Sequence, residues 1–399
     1  MKQVSSQKTY ENGGIKMKKS RLVKLAALMI TGTMVLAGCG SSKPAATPEK
    51  AEPTKAEATQ EATKEQTSNE EKLSIAILLN GTLGDKAFFD SAANGGEMIR
   101  TALGHDVKVV EMGYDETKWM PTLIDFSEDK DTDIIIVGTW QIAEKLQEIA
   151  PQYSDKKYII FDSSVDYSLG GLDNVYSIEY KQNECSFLAG AVGALATKTG
   201  TIGFVGGMEN YVINDFLLGY IQGAKQVKPD IKISIGYVGN FSDSAKAKEL
   251  TLAQINQNAD VIYQVASTAG LGVIDGAAEK DKFVIGVDSD QAAAFMETDK
   301  AKAEHIITSA LKRVDESLLR AIQLEAAGEL KWGATEVLGI NEGCVGIAKN
   351  AVYDANVSDE IKGIVDGLEK DILEGKITVD TAFGKSADDI QAIRNSVRP

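Results

Sequence analysis

Histidine and cysteine are scarce: the chain has two histidines and three cysteines among 399 residues. With only His105 and His305, and with no HExxH or Gly-x-Ser-x-Gly, there is little from which to build a zinc site or a Ser-His-Asp triad. No cysteine belongs to a CxxC pair, so the local signature of zinc ribbons and dithiol redox centres is missing. Positive charge is also in deficit. Lys and Arg number 42 against 58 Asp and Glu, a net charge of -16, and no basic stripe interrupts the acidity. That balance argues against a nucleic-acid partner, because phosphate binding needs clustered Lys and Arg. Large apolar residues are absent altogether from Gly40 to Glu71, where Pro44, Pro48 and Pro53 stand among Ala, Thr, Glu and Lys. Such a segment has no apolar surface to offset chain entropy and cannot build a core.

Just before that segment, Lys18-Lys19-Ser20-Arg21 and Lys24 precede an apolar run from Leu25 to Leu36, and Leu36-Ala37-Gly38-Cys39 closes it. The run is 12 residues long, short of the roughly 20 that cross a bilayer. Basic patch, short apolar stretch and small residues before a cysteine read as a bacterial lipoprotein signal. A lipid thioether on Cys39 is therefore expected to fix the mature protein to the outer face of a membrane. Residues 1–38 are read as the signal, with Met17 as a natural start, and 39–71 as a tether between anchor and folded body. Cys185 and Cys344 both sit in apolar sequence, which favours buried free thiols over a disulfide.

From Leu73 onward, short β-rich runs alternate with longer helical patterns, the signature of α/β architecture with parallel sheets. Strands are predicted at Leu73–Leu79, Val107–Glu111, Ile134–Gly138, Tyr158–Asp162, Thr201–Val205, Lys232–Val238, Val261–Val265 and Phe283–Val287. Runs such as Ile134-Ile135-Ile136-Val137 are apolar throughout, as strands covered on both faces are. Helices are predicted at Ala87–Leu103, Glu184–Thr197, Phe216–Val227, Ala245–Gln257, Leu271–Lys280 and Ser309–Ala327. Ser358–Leu373 is a further one, with Ile361, Ile364, Leu368 and Ile372 on a face expected to pack on the body. The series falls into two halves, so two doubly wound lobes are expected. The first is assigned 72–179 plus 308–331 and the second 180–307 plus 332–399.

In such sheets ligands meet the carboxyl ends of the strands, and those ends hold the candidate residues. After the first strand comes Asp85, a helix N-cap by type, followed by Phe88-Phe89. Neighbours on a helix point about 100° apart, so the pair cannot share one core seam, and at least one is expected to face the cleft. Trp140 follows the third strand and either caps the core or offers a flat face at the cleft mouth. Asp162 ends the fourth strand, where it caps a turn or faces the crevice. Phe216 opens a helix in the second half, and Asp288 leads a polar cluster, Asp288-Ser289-Asp290-Gln291, directly after a buried strand. Lys312 is placed in the first turn of a helix, where a cation opposes the dipole and calls for a ligand or carboxylate partner. Aromatic faces, carboxylates and one ammonium are the inventory for a nucleoside: rings hold a base, and a carboxylate accepts from a vicinal diol.

A hydrolase reading fails on order. Ser309-Ala310-Leu311-Lys312 is a Ser-x-x-Lys match, and Lys198-Thr199-Gly200 and Ser289-Asp290-Gln291 echo the other serine β-lactamase elements, but their sequence along the chain is reversed.

Six stretches carry a family resemblance: Gly84–Ala92, Gly203–Met208, Tyr237–Lys246, Gly270–Val273, Gly286–Gln291 and Ser309–Asp315. In that order they resemble the basic membrane protein family, whose best understood members are purine-nucleoside-binding lipoproteins serving ATP-driven importers. The resemblance implies a type I periplasmic-binding-protein fold, no cofactor, and an ABC permease with its ATPase as partners. It also implies Asp85, Phe88, Phe216, Asp288 and Lys312 around the ligand, with Asp288 and Lys312 at the ribose. Three positions differ from the family pattern: Ala87 and Phe89, where Ala87-Phe88-Phe89 stands for the usual Ser-Phe-Asn, and Trp140, where phenylalanine or a small residue is usual. A ligand-sensing lipoprotein, or a receptor for a sugar or other small ligand on the same scaffold, is the alternative.

Overall fold

The computed structural model describes residues 72–399, so the signal, Cys39 and the tether lie outside the described residues. The first lobe begins with β1 (Ser74–Leu79), α1 (Phe88–Leu103), β2 (Asp106–Glu111), α2 (Trp119–Glu128), β3 (Ile134–Gly138), α3 (Trp140–Ile149), β4 (Lys157–Phe161) and β5 (Val175–Tyr180). The second lobe follows with α4 (Gln182–Ala196), β6 (Thr201–Gly206), α5 (Tyr211–Val227), β7 (Lys232–Tyr237), α6 (Ser244–Asn256), β8 (Val261–Val265), α7 (Gly270–Glu279), β9 (Phe283–Asp288), α8 (Gln291–Met296), α9 (Lys300–Ala303) and β10 (Ile306–Lys312). The chain then returns through α10 (Val314–Ala326) and β11 (Ala334–Leu338) before β12 (Val345–Ile347), α11 (Ala351–Asn356), α12 (Asp359–Leu373) and α13 (Ala387–Asn395).

Each lobe is built on a six-stranded sheet, ordered β11-β5-β4-β3-β1-β2 in the first and β12-β10-β9-β8-β6-β7 in the second. Every pairing is parallel except β10 with β12. The central strands β3, β6 and β8 are buried along their whole length, because helices cover both faces. In the second lobe α4 and α5 approach backbone to backbone: a Cβ on Gly219 or Gly223 would overlap the carbonyl oxygens of Asn183 and Phe187. The predicted thiols are free, and both Cys185 and Cys344 are buried.

Three segments cross between the lobes: β5 to α4, β10 to α10 and β11 to β12. Their positions correct the expected boundaries. Ile306–Lys312 is a strand of the second sheet, not the start of the first-lobe return, and Ala334–Leu338 pairs with β5 in the first sheet. Lys312 therefore ends a strand and is not in a first helical turn; the helix begins at Val314. The reason is burial: all seven residues of β10 are buried, and the side chains of Thr308 and Ser309 are satisfied within the second lobe. Thr308 donates to the Ala348 carbonyl, and the Ser309 hydroxyl accepts from the Gln291 N–H. On α12 the covered face is centred on Val365, Leu368 and Ile372, and Ile364 points to solvent.

Candidate functional site

The carboxyl ends of the two sheets face one another across a cavity that opens to solvent. From the first lobe, Asn80 follows β1, Phe88 and Phe89 open α1, Thr139 and Trp140 follow β3, and Asp162 follows β4. From the second, Phe216 lies on α5, Ser267 follows β8, and Asp288 and Lys312 end β9 and β10. Thr139, Asp162, Ser267 and Asp288 all hold positive φ, at 74°, 61°, 47° and 62°. That backbone region is costly for non-glycine residues and clusters where surrounding structure over-determines a site. Four such residues around one cavity mark it as the place where strand ends are turned to present side chains.

Lys312 is the electrostatic centre. Its ammonium lies 2.7 Å from Asp162 Oδ1 and 3.6 Å from Asp288 Oδ1. It also sits over three aromatic rings, with centroids at 4.8 Å for Phe88, 5.1 Å for Phe216 and 5.7 Å for Tyr180. Because Asp162 belongs to the first lobe and Lys312 to the second, this ion pair bridges the cleft. All three charges are almost wholly buried. Burial alone would lower the Lys312 ammonium, but the two carboxylates hold it above its ordinary value. Burial raises Asp162, and it pushes Asp288 up to about 7 against the pull of Lys312.

Asn80 Oδ1 and Asp288 Oδ1 are among the buried side-chain atoms of the described residues that have no hydrogen-bond partner within the protein. Unsatisfied buried acceptors are costly and rare, and both of these belong to residues lining the cavity. Asn80 is held by its amide donating to Thr139 Oγ1 at 2.7 Å, which leaves its oxygen free. The wall beside it is aromatic: Phe88 and Phe89 meet edge to face at 5.2 Å, and Phe89 meets Tyr114 the same way at 6.3 Å. Both phenylalanines line the cavity while also belonging to the buried apolar cluster behind it, so the first turn of α1 forms the border between core and cavity.

Seven of the eight residues singled out from sequence, Phe88, Phe89, Trp140, Asp162, Phe216, Asp288 and Lys312, are brought to this cavity. Asp85 is not. Its carboxylate accepts the N–H groups of Ala87, Phe89 and Asp90 and the Ser267 hydroxyl, at 2.8–3.2 Å, and is fully buried behind the wall. The formal N-cap is Ala87, so Asp85 anchors the helix start from two residues upstream and ties it to the other lobe. Sequence reasoning missed Asn80, Tyr114, Thr139, Phe241 and Ser267 as lining residues. For Asn80 the signal was available, as a polar residue directly after a buried strand. Tyr114 gave none.

Two parallel-sheet lobes, three crossings and a charged, aromatic cavity between strand ends define a solute-binding protein of the type I periplasmic-binding-protein fold. Residues 72–380 match the Bmp family, described as ABC transporter substrate-binding protein PnrA-like. The chain belongs to that family and is an ABC transporter substrate-binding protein. Among its relatives is the Lactococcus lactis ABC transporter nucleoside-binding protein BmpA, 29% identical over 90% of this chain and 99% of its own. Basic membrane protein A of Borreliella burgdorferi is 30% identical, covering 76% of this chain and 87% of the relative. A solved ABC transporter solute-binding protein from Aeropyrum pernix shares the fold with a TM-score of 0.70 at 23% identity, over 82% of this chain and 99% of that one.

Proposed function

We propose that this protein is a lipid-anchored, extracytoplasmic receptor that captures a nucleoside, a purine nucleoside foremost, between its lobes and delivers it to an ABC permease and its ATPase. The observation that carries the ligand class is Asp288 Oδ1, ion-paired with Lys312 at 3.6 Å yet without a hydrogen-bond partner, beside an ammonium that lies over the Phe88 and Phe216 rings. An ionised carboxylate accepts both hydrogens of a vicinal diol, the ammonium donates to a ribose oxygen, and the Phe88–Phe89 wall offers faces and edges to a base. Asn80 Oδ1, also without a partner, supplies an acceptor for a base N–H. The name of the Lactococcus relative supports the same ligand class. Anchoring rests on Cys39 and the signal pattern before it.

Capture works by closure: a ligand that touches both lobes favours the closed state by its differential affinity for it. Calorimetry against nucleosides, free bases and sugars tests the ligand class. Tight binding of at least one nucleoside, with weak binding of the matching base, is expected; tight binding of a sugar and none of any nucleoside would overturn it. For the anchor, a Cys39→Ser variant should leave the membrane fraction for the medium or periplasm, and unchanged membrane retention would remove Cys39 from that role.

A further inference from the structure

Beyond Asp162 lies a second chamber, also open to solvent and sharing Trp140, Asp162, Asn210 and Val212 with the first. Four aromatic side chains line it: Tyr180 is buried, while Trp140, Tyr211 and Phe383, from separate parts of the chain, are large hydrophobics exposed to solvent. Tyr211 and Phe383 stack with centroids 6.3 Å apart and planes 22° from parallel. Phe383 is not a loose tail residue. The strap before it is fixed where the Ala382 N–H donates to Asp215 Oδ1 at 2.8 Å and Asn183 donates to the carbonyls of Val379 and Asp380.

The charges of this chamber are of one sign. No lysine or arginine lines it. Asp162 is paired with Lys312, and Glu209 with Arg394 at 2.7 Å. Glu179 is left without a cation: burial and the neighbouring Asp162 both raise its pKa, and no positive group opposes them. Exposed aromatic faces around an unpaired carboxylate are the chemistry that receives an organic ammonium, through cation–π attraction and a charge-assisted hydrogen bond. A phosphate there would meet only like charge.

We propose that the second chamber is a specificity subsite for a positively charged substituent on the ribose end of the ligand, with Glu179 as its counter-ion and Trp140, Tyr211 and Phe383 as its aromatic wall. It rests on the nucleoside reading. For a ribose held against Asp288 and Lys312, the subsite requires its 5′ arm to point toward Asp162, which lines both chambers.

Competitive calorimetry of the full chain with adenosine, 5′-amino-5′-deoxyadenosine and adenosine 5′-monophosphate tests the subsite. The amine is expected to bind about tenfold tighter than adenosine, and the monophosphate far more weakly. In Glu179→Gln the ratio of amine to adenosine affinity should fall to about one, and Phe383→Ala should reduce it in the same direction. An amine that binds no tighter than adenosine, or an advantage that survives Glu179→Gln, overturns the proposal while leaving the nucleoside reading intact. Failure of all three ligands to bind would instead sink the nucleoside reading on which it stands.

Discussion

Lys312 gathers two carboxylates and three rings around one ammonium, and a group so placed couples stability to binding. Replacing Lys312 by Met would leave Asp162 and Asp288 buried with no counter-ion. A loss of about 3–5 kcal/mol in denaturant unfolding is expected, as for other buried pairs broken on one side. Adding Asp162→Asn to that variant should recover part of it. Asp288 contributes on the binding side. Removing its carboxylate costs about 1.5–3 kcal/mol per charged hydrogen bond to the diol, so Asp288→Ala should weaken nucleoside affinity by at least one factor of ten; unchanged affinity would exclude it from the site. The sign of the pH effect follows from its raised pKa of about 7. Only the ionised form accepts both hydroxyls, so binding is strongest above that pH and falls below it, about tenfold between pH 8 and pH 6. Affinity measured across that range should lose its slope in Asp288→Asn.

At the scale of elements, strands buried on both faces were legible from their apolar runs, as Ile134–Gly138 shows by matching its predicted limits. Their carboxyl ends were legible for the same reason, since a polar residue directly after such a run has few places to go but the cleft. Ser309–Lys312 was misread because its serine and lysine are paired out of sight, with Gln291 and Asp162, so the pattern lacked the continuous apolar run that marks a buried strand. Tyr114 and Phe383 were invisible for a different reason: they reach the cleft from a loop and a C-terminal strap whose paths depend on tertiary contacts. The helix pair α4–α5 offers its own test. Gly223→Ala would force its Cβ against the Phe187 carbonyl, and overpacking of that kind typically costs about 1–3 kcal/mol. A fall in thermal midpoint is expected, and no change would mean that the two helices can separate without penalty.

Polar contacts away from the cavity centre also join the two lobes of the described residues. Lys86 donates to the Ala294 carbonyl at 3.1 Å, the Ser289 hydroxyl donates to the Ala87 carbonyl at 3.1 Å, and Tyr114 meets Thr268 at 3.0 Å. Each joins the first lobe to the second at the cleft rim, on the loops that also carry the aromatic wall. Bonds present only in the closed state stabilise it without touching ligand, so Lys86→Met should speed ligand release by about threefold to tenfold and leave the association rate nearly unchanged. Stopped-flow kinetics separate the two rates; an effect confined to association would assign Lys86 to ligand entry instead of closure.

The claim on which the rest depends is that a nucleoside lies across the Asp162–Lys312–Asp288 cluster. A crystal structure of the protein with a bound purine nucleoside tests it most directly. The ribose hydroxyls are expected within hydrogen-bonding distance of Asp288 Oδ1 and Lys312 Nζ, with the base against Phe88 and Phe89. A nucleoside bound elsewhere, or with its ribose turned away from Asp288, would contradict it.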